Sequence, residues 1–390
     1  MQRSTDRILT THAGSLPRGE PLGSMLLAHE KGEKLDEAAF KKAIETRVAH
    51  VLKKQAEVGI DIANDGEQGR VGFQTYIPLR MKGFGGASKR PYGKEFVRFG
   101  EFTKRMMQRI PNTSKVFDAP QAISELKYED TKAIDEEIAL YKRLIAGMKN
   151  QFTEFFMNAP SPGIVATTML NAHYKTHQDY LDAIAREIKV EYKKVVDSGF
   201  VLQIDAPDMA MERVLLYQDL SDAEFVKTVE QHVAALNKAL EGLPPDRVRL
   251  HVCWGNWEGP HNYDIAMEPL LSALYQAKVG ALGLEFANPR RQHEFRALAK
   301  KKLPDNMILL AGVVDPKTNF IEHPEVVAQR IENVVSAVGD RERVIACVDC
   351  GFGTFVNWEW VTEDIVWEKL RSLSEGAAIA SSRLWGKKVA

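Results

Sequence analysis

Short apolar runs rich in Val and Ile alternate along the chain with longer stretches whose apolar positions recur at helical spacing. The short runs fall near Thr10–Ser15, Ile60–Asp65, Gly163–Thr168, Phe200–Asp205, Arg247–Cys253, Ala281–Phe286, Met307–Val314 and Arg343–Cys350. Each is bounded by turn residues, which predicts strands. Between them, Leu181–Val196, Ala223–Leu240, Pro324–Val338 and Thr362–Ala377 predict helices, with Pro324 placed for a first helical turn. Strands that alternate with helices predict βα units around a parallel sheet. Eight of them predict an α/β (β/α)8 TIM barrel as one catalytic domain spanning residues 1–390. The other common parallel architecture, an open doubly wound sheet, carries a glycine-rich fingerprint after its first strand, and none is present.

One interval interrupts the rhythm, the stretch from Gly66 to Pro162 between the second and third predicted strands. A barrel alone needs about 250 residues, so the pattern predicts a large insertion after the second strand, over 76–160. Within it, Tyr76–Ser124 reads as a lid over the barrel mouth or as a stabilising appendage, and Asp130–Asn158 reads as one long helix. The basic run Lys89–Lys94 reads as a solvated loop.

Composition narrows the function classes. Hydrophobic residues make up 44% and charged residues 27%, as in ordinary globular proteins. The formal net charge of −1 gives no electrostatic reason to expect nucleic acid or an anionic membrane as partner. No apolar run reaches the ~18 residues of a membrane span, and Met1–Arg7 leads into no secretory signal. Three cysteines, Cys253, Cys347 and Cys350, form no disulfide framework and suit a reducing cytoplasm. Apolar positions in the insertion and in Leu370–Leu384 permit a homo-oligomer without requiring one.

The densest chemistry lies in H-V-C-W-G-N, His251–Asn256. Side chains alternate along a strand, so His251 and Cys253 share a face. Glu285 ends the next apolar strand, where a carboxylate is costly unless paired or metal-bound. Cys350 closes the last strand, before Gly351. These four residues converge on one barrel rim and suit tetrahedral Zn²⁺, though an H-x-C pair is more often packed interior. Cys347 lies three residues from Cys350 on the opposite face and reads as a buried small hydrophobe. Other predicted strand ends are also polar: Gly14–Arg18, Asn64–Glu67, Gln203–Pro207 and Asp315–Lys317. Singly they are ordinary caps and turns. Beside a metal set, Glu67 and Asp205 suit the ammonium group of a substrate.

Taken together, T-T-H-A-G-S-L-P-R (Thr10–Arg18), N-D-G-E (Asn64–Glu67), Q-I-D-A-P (Gln203–Pro207), H-V-C (His251–Cys253), L-E-F (Leu284–Phe286) and D-C-G (Asp349–Gly351) resemble the catalytic barrel of the cobalamin-independent methionine synthase family. The resemblance implies a zinc ion on His251, Cys253, Glu285 and Cys350. It implies that Ser15, Glu67 and Asp205 contact the amino-acid part of homocysteine, whose zinc-activated sulfur attacks a methyl donor. The chemistry is consistent, since a thiolate is the reactive form and coordination removes the thiol proton.

Three departures stand out. The family's full-length enzymes carry a further N-terminal barrel, for which this chain has no room. The His that activates methyl-folate after strand seven is missing, leaving Asp315 and Lys317 as candidate catalytic groups. The folate-stacking Trp after strand three is not seen in Gly163–Tyr174, where His173 and Tyr174 are the candidates. The expected activity is thus zinc-dependent methylation of homocysteine from methyl-folate, a methylcorrinoid or another small donor. The same superfamily holds coenzyme M transferases that open epoxides, which would want Arg18, Arg70 or Lys317 near the metal for a sulfonate. A non-enzymatic zinc-stabilised scaffold is the third reading.

Overall fold

The computed structural model describes residues 1–110, 115, 118–148 and 150–386. Seven parallel strands form one curled sheet in chain order: β1 (Ile62–Ala63), β4 (Glu154–Pro160), β5 (Val201–Asp205), β6 (Val248–His251), β7 (Ala281–Glu285), β8 (Ile308–Val314) and β9 (Val344–Val348). The first expected strand is present only as a bridging segment. Thr10 pairs with Ala346 beside β9, and Thr11 pairs with Ile62 of β1, so this short piece of chain touches both edges of the sheet.

Burial explains the strand pattern. β5, β6, β7, β8 and β9 are buried at every position, as expected of parallel strands covered on both faces. The covering helices include His177–Asp197, Asp222–Ala239, Pro324–Val338 and Glu363–Trp385. The first turns Tyr180, Leu181, Ile184 and Ile188 inward at helical spacing. Asp222–Ala239 begins with a reciprocal capping box between Ser221 and Glu224. Cys347 is buried in an apolar cluster with Leu9, Phe156 and Leu310, as expected of a small hydrophobe.

Two expected elements are corrected. Gly163–Thr168 is not a strand but part of the helix Pro162–Thr168. Its β-branched run suggested a strand, but Ser161 caps Ile164 N–H and Pro162 takes the first turn, which starts a helix. The strand that takes the third place is β4, five of whose seven residues fell inside the supposed long helix Asp130–Asn158. That helix runs only over Lys132–Ile145. The chain then turns, and the aromatic run at Phe155 and Phe156 enters the sheet beside β1.

Between β1 and β4 the chain also forms the antiparallel ribbon of β2 (Lys82–Gly85) and β3 (Gln121–Lys127), with helices Lys94–Arg98 and Gly100–Arg109 between its strands. Residues 111–114, 116–117 and 149 of the expected insertion lie outside the described residues. No described helix is long and apolar enough to cross a membrane.

Candidate active site

Because the sheet strands are parallel, their C-terminal ends lie at one rim, and the candidate residues follow from that topology. Glu67 comes just after β1, Asp205 ends β5, His251 ends β6, Glu285 ends β7, Asp315 and Lys317 follow β8, and Cys253 and Cys350 each lie two residues past a strand. A cavity of about 400 Å³ opens there. Ser15, Glu67, Asp205, His251, Cys253 and Cys350 all line it. Glu285, Asp315 and Lys317 do not.

The floor of the cavity holds the two thiols in contact. Cys253 Sγ donates to Cys350 Sγ at 3.3 Å, and all three cysteines are free. This contact raises the Cys253 thiol and, aided by His251 and Lys317, lowers that of Cys350. Beside them, His251 Nδ1 lies 3.0 Å from Asp205 and Nε2 lies 3.1 Å from the Asp349 carbonyl. Burial disfavours the charged ring, but the bond to Asp205 and the nearby Cys350 outweigh it and lift His251 to about 9. Asp349, of the D-C-G motif, accepts from Phe286, Ala287 and Asn288 N–H, so it ties the chain beyond β7 to the end of β9. Gly351 is required here, since a Cβ would run into Ser15 Oγ.

Glu285 stands apart from the thiols' cavity. It accepts from Trp254 N–H at 3.0 Å and pairs with Arg291 at 3.5 Å and Lys317 at 3.7 Å. Lys317 also lies 4.0 Å from Asp315, and these carboxylates raise its pKa against the pull of burial. Asp315 and Lys317 are thus paired with each other and with Glu285, and Lys317 is close enough to the thiols to favour their charged forms. Among the described residues no three His, Cys, Asp or Glu side chains already surround one point as a metal shell would.

The second polar wall is acidic. Asp205 accepts from Asn158 at 2.8 Å and Gln203 at 2.7 Å in addition to facing His251. Glu67 is buried and left-handed (φ 53°), held by its own N–H bonding to Asp65. Burial and the nearby Asp205 carboxylate push it up to about 8, against the opposing effect of Arg18 and Arg70. Its Oε2 has no hydrogen-bond partner, and the same is true of Gln74 Oε1 and Asn256 Oδ1, on two other lining residues. Native structures rarely leave such acceptors bare, so each calls for a reason such as a catalytic role or a bound water or ion.

Sequence reasoning missed several participants. Asn158 bridges Asp205, Asn64 and the Ala13 carbonyl from β4, and it was hidden by the misplaced third strand. The apolar lining of Phe73, Met106, Met107, Met211, Phe355 and Trp358 comes from the helix Gly100–Arg109, a 3-10 turn at Met211 and loops, with no motif of its own. His173 and Tyr174 do not line the cavity; Tyr174 packs on Tyr180 instead.

A family model described as the catalytic domain of cobalamin-independent synthase matches residues 159–369, more than half of the chain. The chain belongs to this family. Among curated relatives of family members, the methionine synthase of Thermococcus kodakarensis is 26% identical over 96% of this chain and 94% of its own length. The 2-hydroxypropyl-CoM lyase of Xanthobacter autotrophicus is 25% identical, covering 89% of this chain and 88% of its own. The fold is that of a solved B12-independent methionine synthase from a Shewanella species, with a TM-score of 0.71, 20% identity and coverage of 97% and 99% of the two chains. A structure described as a putative vitamin-B12-independent methionine synthase from Listeria monocytogenes gives a TM-score of 0.63 at 16% identity, with the same coverage.

Proposed function

We propose that the protein is a zinc-dependent methyltransferase that converts homocysteine to methionine in the cytoplasm. One observation carries the choice of thiol: the carboxylates Glu67 and Asp205 line the same cavity as the paired thiols, whereas Arg18, Arg70 and Lys317 do not. Arg18 donates to the Leu16, Arg70 and Gly353 carbonyls and keeps only Nη2 without a partner, Arg70 is held by Glu137 and the Asn158 carbonyl, and Lys317 pairs with Glu285. A thiol bearing an ammonium group is matched by these buried carboxylates, whereas the lining cations are Arg90, paired with Glu212, and the exposed Lys89. That argues against the epoxide-opening coenzyme M reaction, despite the similarity to the lyase.

The donor set fits a soft divalent metal. Two buried thiols in contact, with an imidazole beside them, are poor neighbours for each other but good ligands for Zn²⁺. His251, Cys253 and Cys350 would hold it. Glu285 would complete the set only by giving up Arg291 or Lys317. When bound, the metal would supply a thiolate form of the incoming sulfur at neutral pH.

The chain's own residues do the rest. Glu67 and Asp205 receive the ammonium, and the bare acceptor of Glu67 gains its donor. Ser15 lines the cavity, with Gly351 leaving room for its hydroxyl, and meets the amino-acid end of the substrate. Asn158 and Gln203 hold Asp205 in place. The segment around Ser88–Phe96 and Met106–Met107 covers the cavity from above and acts as its lid, excluding water from the sulfur. Asp315 and Lys317 act as positioning residues for Glu285 rather than as proton donors to the methyl donor.

The test is proton release and product formation on adding homocysteine or coenzyme M to metal-loaded protein. Homocysteine should release a proton, and should be methylated once a methyl donor is also supplied; proton release with coenzyme M alone would reverse the assignment.

A further inference from the structure

Away from the cavity, two histidines from neighbouring helices meet. His177 is the first residue of the helix His177–Asp197, and His232 lies within Asp222–Ala239. Their Nε2 atoms stand 3.3 Å apart, and the rings meet nitrogen to nitrogen, with centroids 5.6 Å apart. The Tyr217 hydroxyl lies 3.5 Å from His177 Nε2. None of the three lines the cavity, and the methyl transfer proposed above uses none of them.

The cluster is braced from behind. His232 is fully buried, and its Nδ1 lies 2.8 Å from Asp208 Oδ2. Asp208, just after β5, is also fully buried, and its other oxygen accepts from the Ser161 hydroxyl. The Ser161 oxygen in turn accepts from Ile164 N–H, which leaves its proton for Asp208. A carboxylate only accepts, so His232 carries its proton on Nδ1 and presents the Nε2 lone pair to His177. Gly163 makes room for this pairing, since a Cβ there would strike both Asp208 and His232. Three buried side chains and a glycine thus aim one imidazole nitrogen at a point that His177 and Tyr217, both half-buried, approach from the solvent side.

The distances have a chemical reading. Ligand atoms about 2.0–2.1 Å from a tetrahedral ion stand roughly 3.3–3.4 Å from one another. The His177–His232 separation equals one such edge, and the His177–Tyr217 separation is close to a second. A carboxylate on the far nitrogen is the usual support of a metal-ligating imidazole, because it fixes the tautomer and raises the basicity of the ligating nitrogen. Imidazole ligands suit a borderline divalent ion such as Zn²⁺.

We propose a second divalent-metal site, with His177 Nε2, His232 Nε2 and the Tyr217 hydroxyl as ligands and solvent in the fourth position. An ion there joins two covering helices to the chain after β5, which sends Pro207, Met211 and Leu215 into the cavity lining. It steadies that lining and takes no part in bond making. The site is independent of the metal on His251, Cys253 and Cys350.

Zinc uptake by untagged, full-length protein carrying Cys253→Ala and Cys350→Ala tests this, because the thiols of the cavity floor are then gone. Calorimetry should still find one zinc ion per chain, and zinc should raise the thermal midpoint. Adding His177→Ala, at the half-buried end of the cluster, should abolish both effects while the circular dichroism spectrum is kept. Adding Asp208→Asn instead should weaken zinc binding about 10- to 100-fold, the usual cost of losing the carboxylate behind a ligating imidazole. No zinc uptake by the double cysteine variant, or uptake that His177→Ala and Asp208→Asn leave unchanged, overturns the proposal. Either of those results leaves the function proposed above untouched, since its metal belongs to the cavity floor.

Discussion

Two buried clusters of charge lie close together in this protein and are finished in opposite ways. In one, Arg70 and Arg80 share Glu137, Arg80 continues to Glu191, and Tyr76 and Tyr128 both donate to Glu191. Both guanidinium groups also cover the Tyr76 ring, at 4.5 and 4.3 Å. None of these six side chains has a buried polar atom without a partner. In the other, the cavity floor, Glu67, Gln74 and Asn256 each keep a bare acceptor, two thiols touch, and two carboxylates crowd each other. The first cluster ties Lys132–Ile145 and Tyr128, just past β3, to the helix His177–Asp197 and the chain after β1. The second is left incomplete for something that binds. Charge and burial are alike in both; satisfaction of the hydrogen bonds separates scaffold from site.

That contrast can be broken by mutation. The largest effect on turnover should come from Cys350→Ala or Cys253→Ala, which should drop methionine formation to background and lower the bound metal, with little change in the urea midpoint. The largest effect on stability should come from the other cluster. Glu191→Gln or Glu137→Gln strands buried guanidinium charge, so a loss of about 3–5 kcal/mol is expected from equilibrium unfolding, with kcat of the folded protein unchanged.

Glu67→Gln sits between these extremes. Loss of a charge-assisted bond to the substrate ammonium should raise KM for homocysteine by about 10- to 100-fold. It should also reverse a pH trend. Burial beside Asp205 raises Glu67 from 4.5 to about 8, so the folded state holds a proton that the unfolded state has released. That contribution is fully present below pH 4.5 and is lost as pH rises toward 8, so the variant should gain on the parent protein across that window. Glu137 has the other sign. Burial would raise it, but Arg70 and Arg80 win and hold it at about 2. Its stabilisation is present above 4.5 and is lost as pH falls toward 2, an interval equivalent to about 3 kcal/mol. Unfolding curves taken across pH should therefore separate the two clusters. The smallest effect belongs to Ser15→Ala, about a 2- to 10-fold rise in KM, the worth of one neutral hydrogen bond.

Much of the rim was legible because parallel strands announce themselves twice, as apolar runs and as polar residues where those runs stop. Glu67, Asp205, His251, Cys253 and Cys350 were all readable in that way, and the cavity gathers them. Glu285 was legible as a buried carboxylate, but its commitment to Trp254 N–H, Arg291 and Lys317 was not, because those partners come from separate loops. The same holds for Asp315 and Lys317, whose position after a strand end gave no sign that they pair with each other and with Glu285. Strand β4 was missed because the β-branched residues of Ile164–Thr168 outweighed the Ser-Pro start signal before them. That error hid Asn158. The apolar lining left no periodic trace, since its members are scattered from Phe73 to Trp358 and meet only in three dimensions.

The central claim is that His251, Cys253 and Cys350 hold a metal at which homocysteine's sulfur is activated. Absorption of the Co²⁺-substituted protein tests it most directly. The account predicts intense sulfur-to-cobalt bands that grow on adding homocysteine, fail to grow with alanine, and weaken in Cys350→Ala. Cobalt that fails to bind, or a spectrum indifferent to homocysteine and to the loss of Cys350, would contradict it.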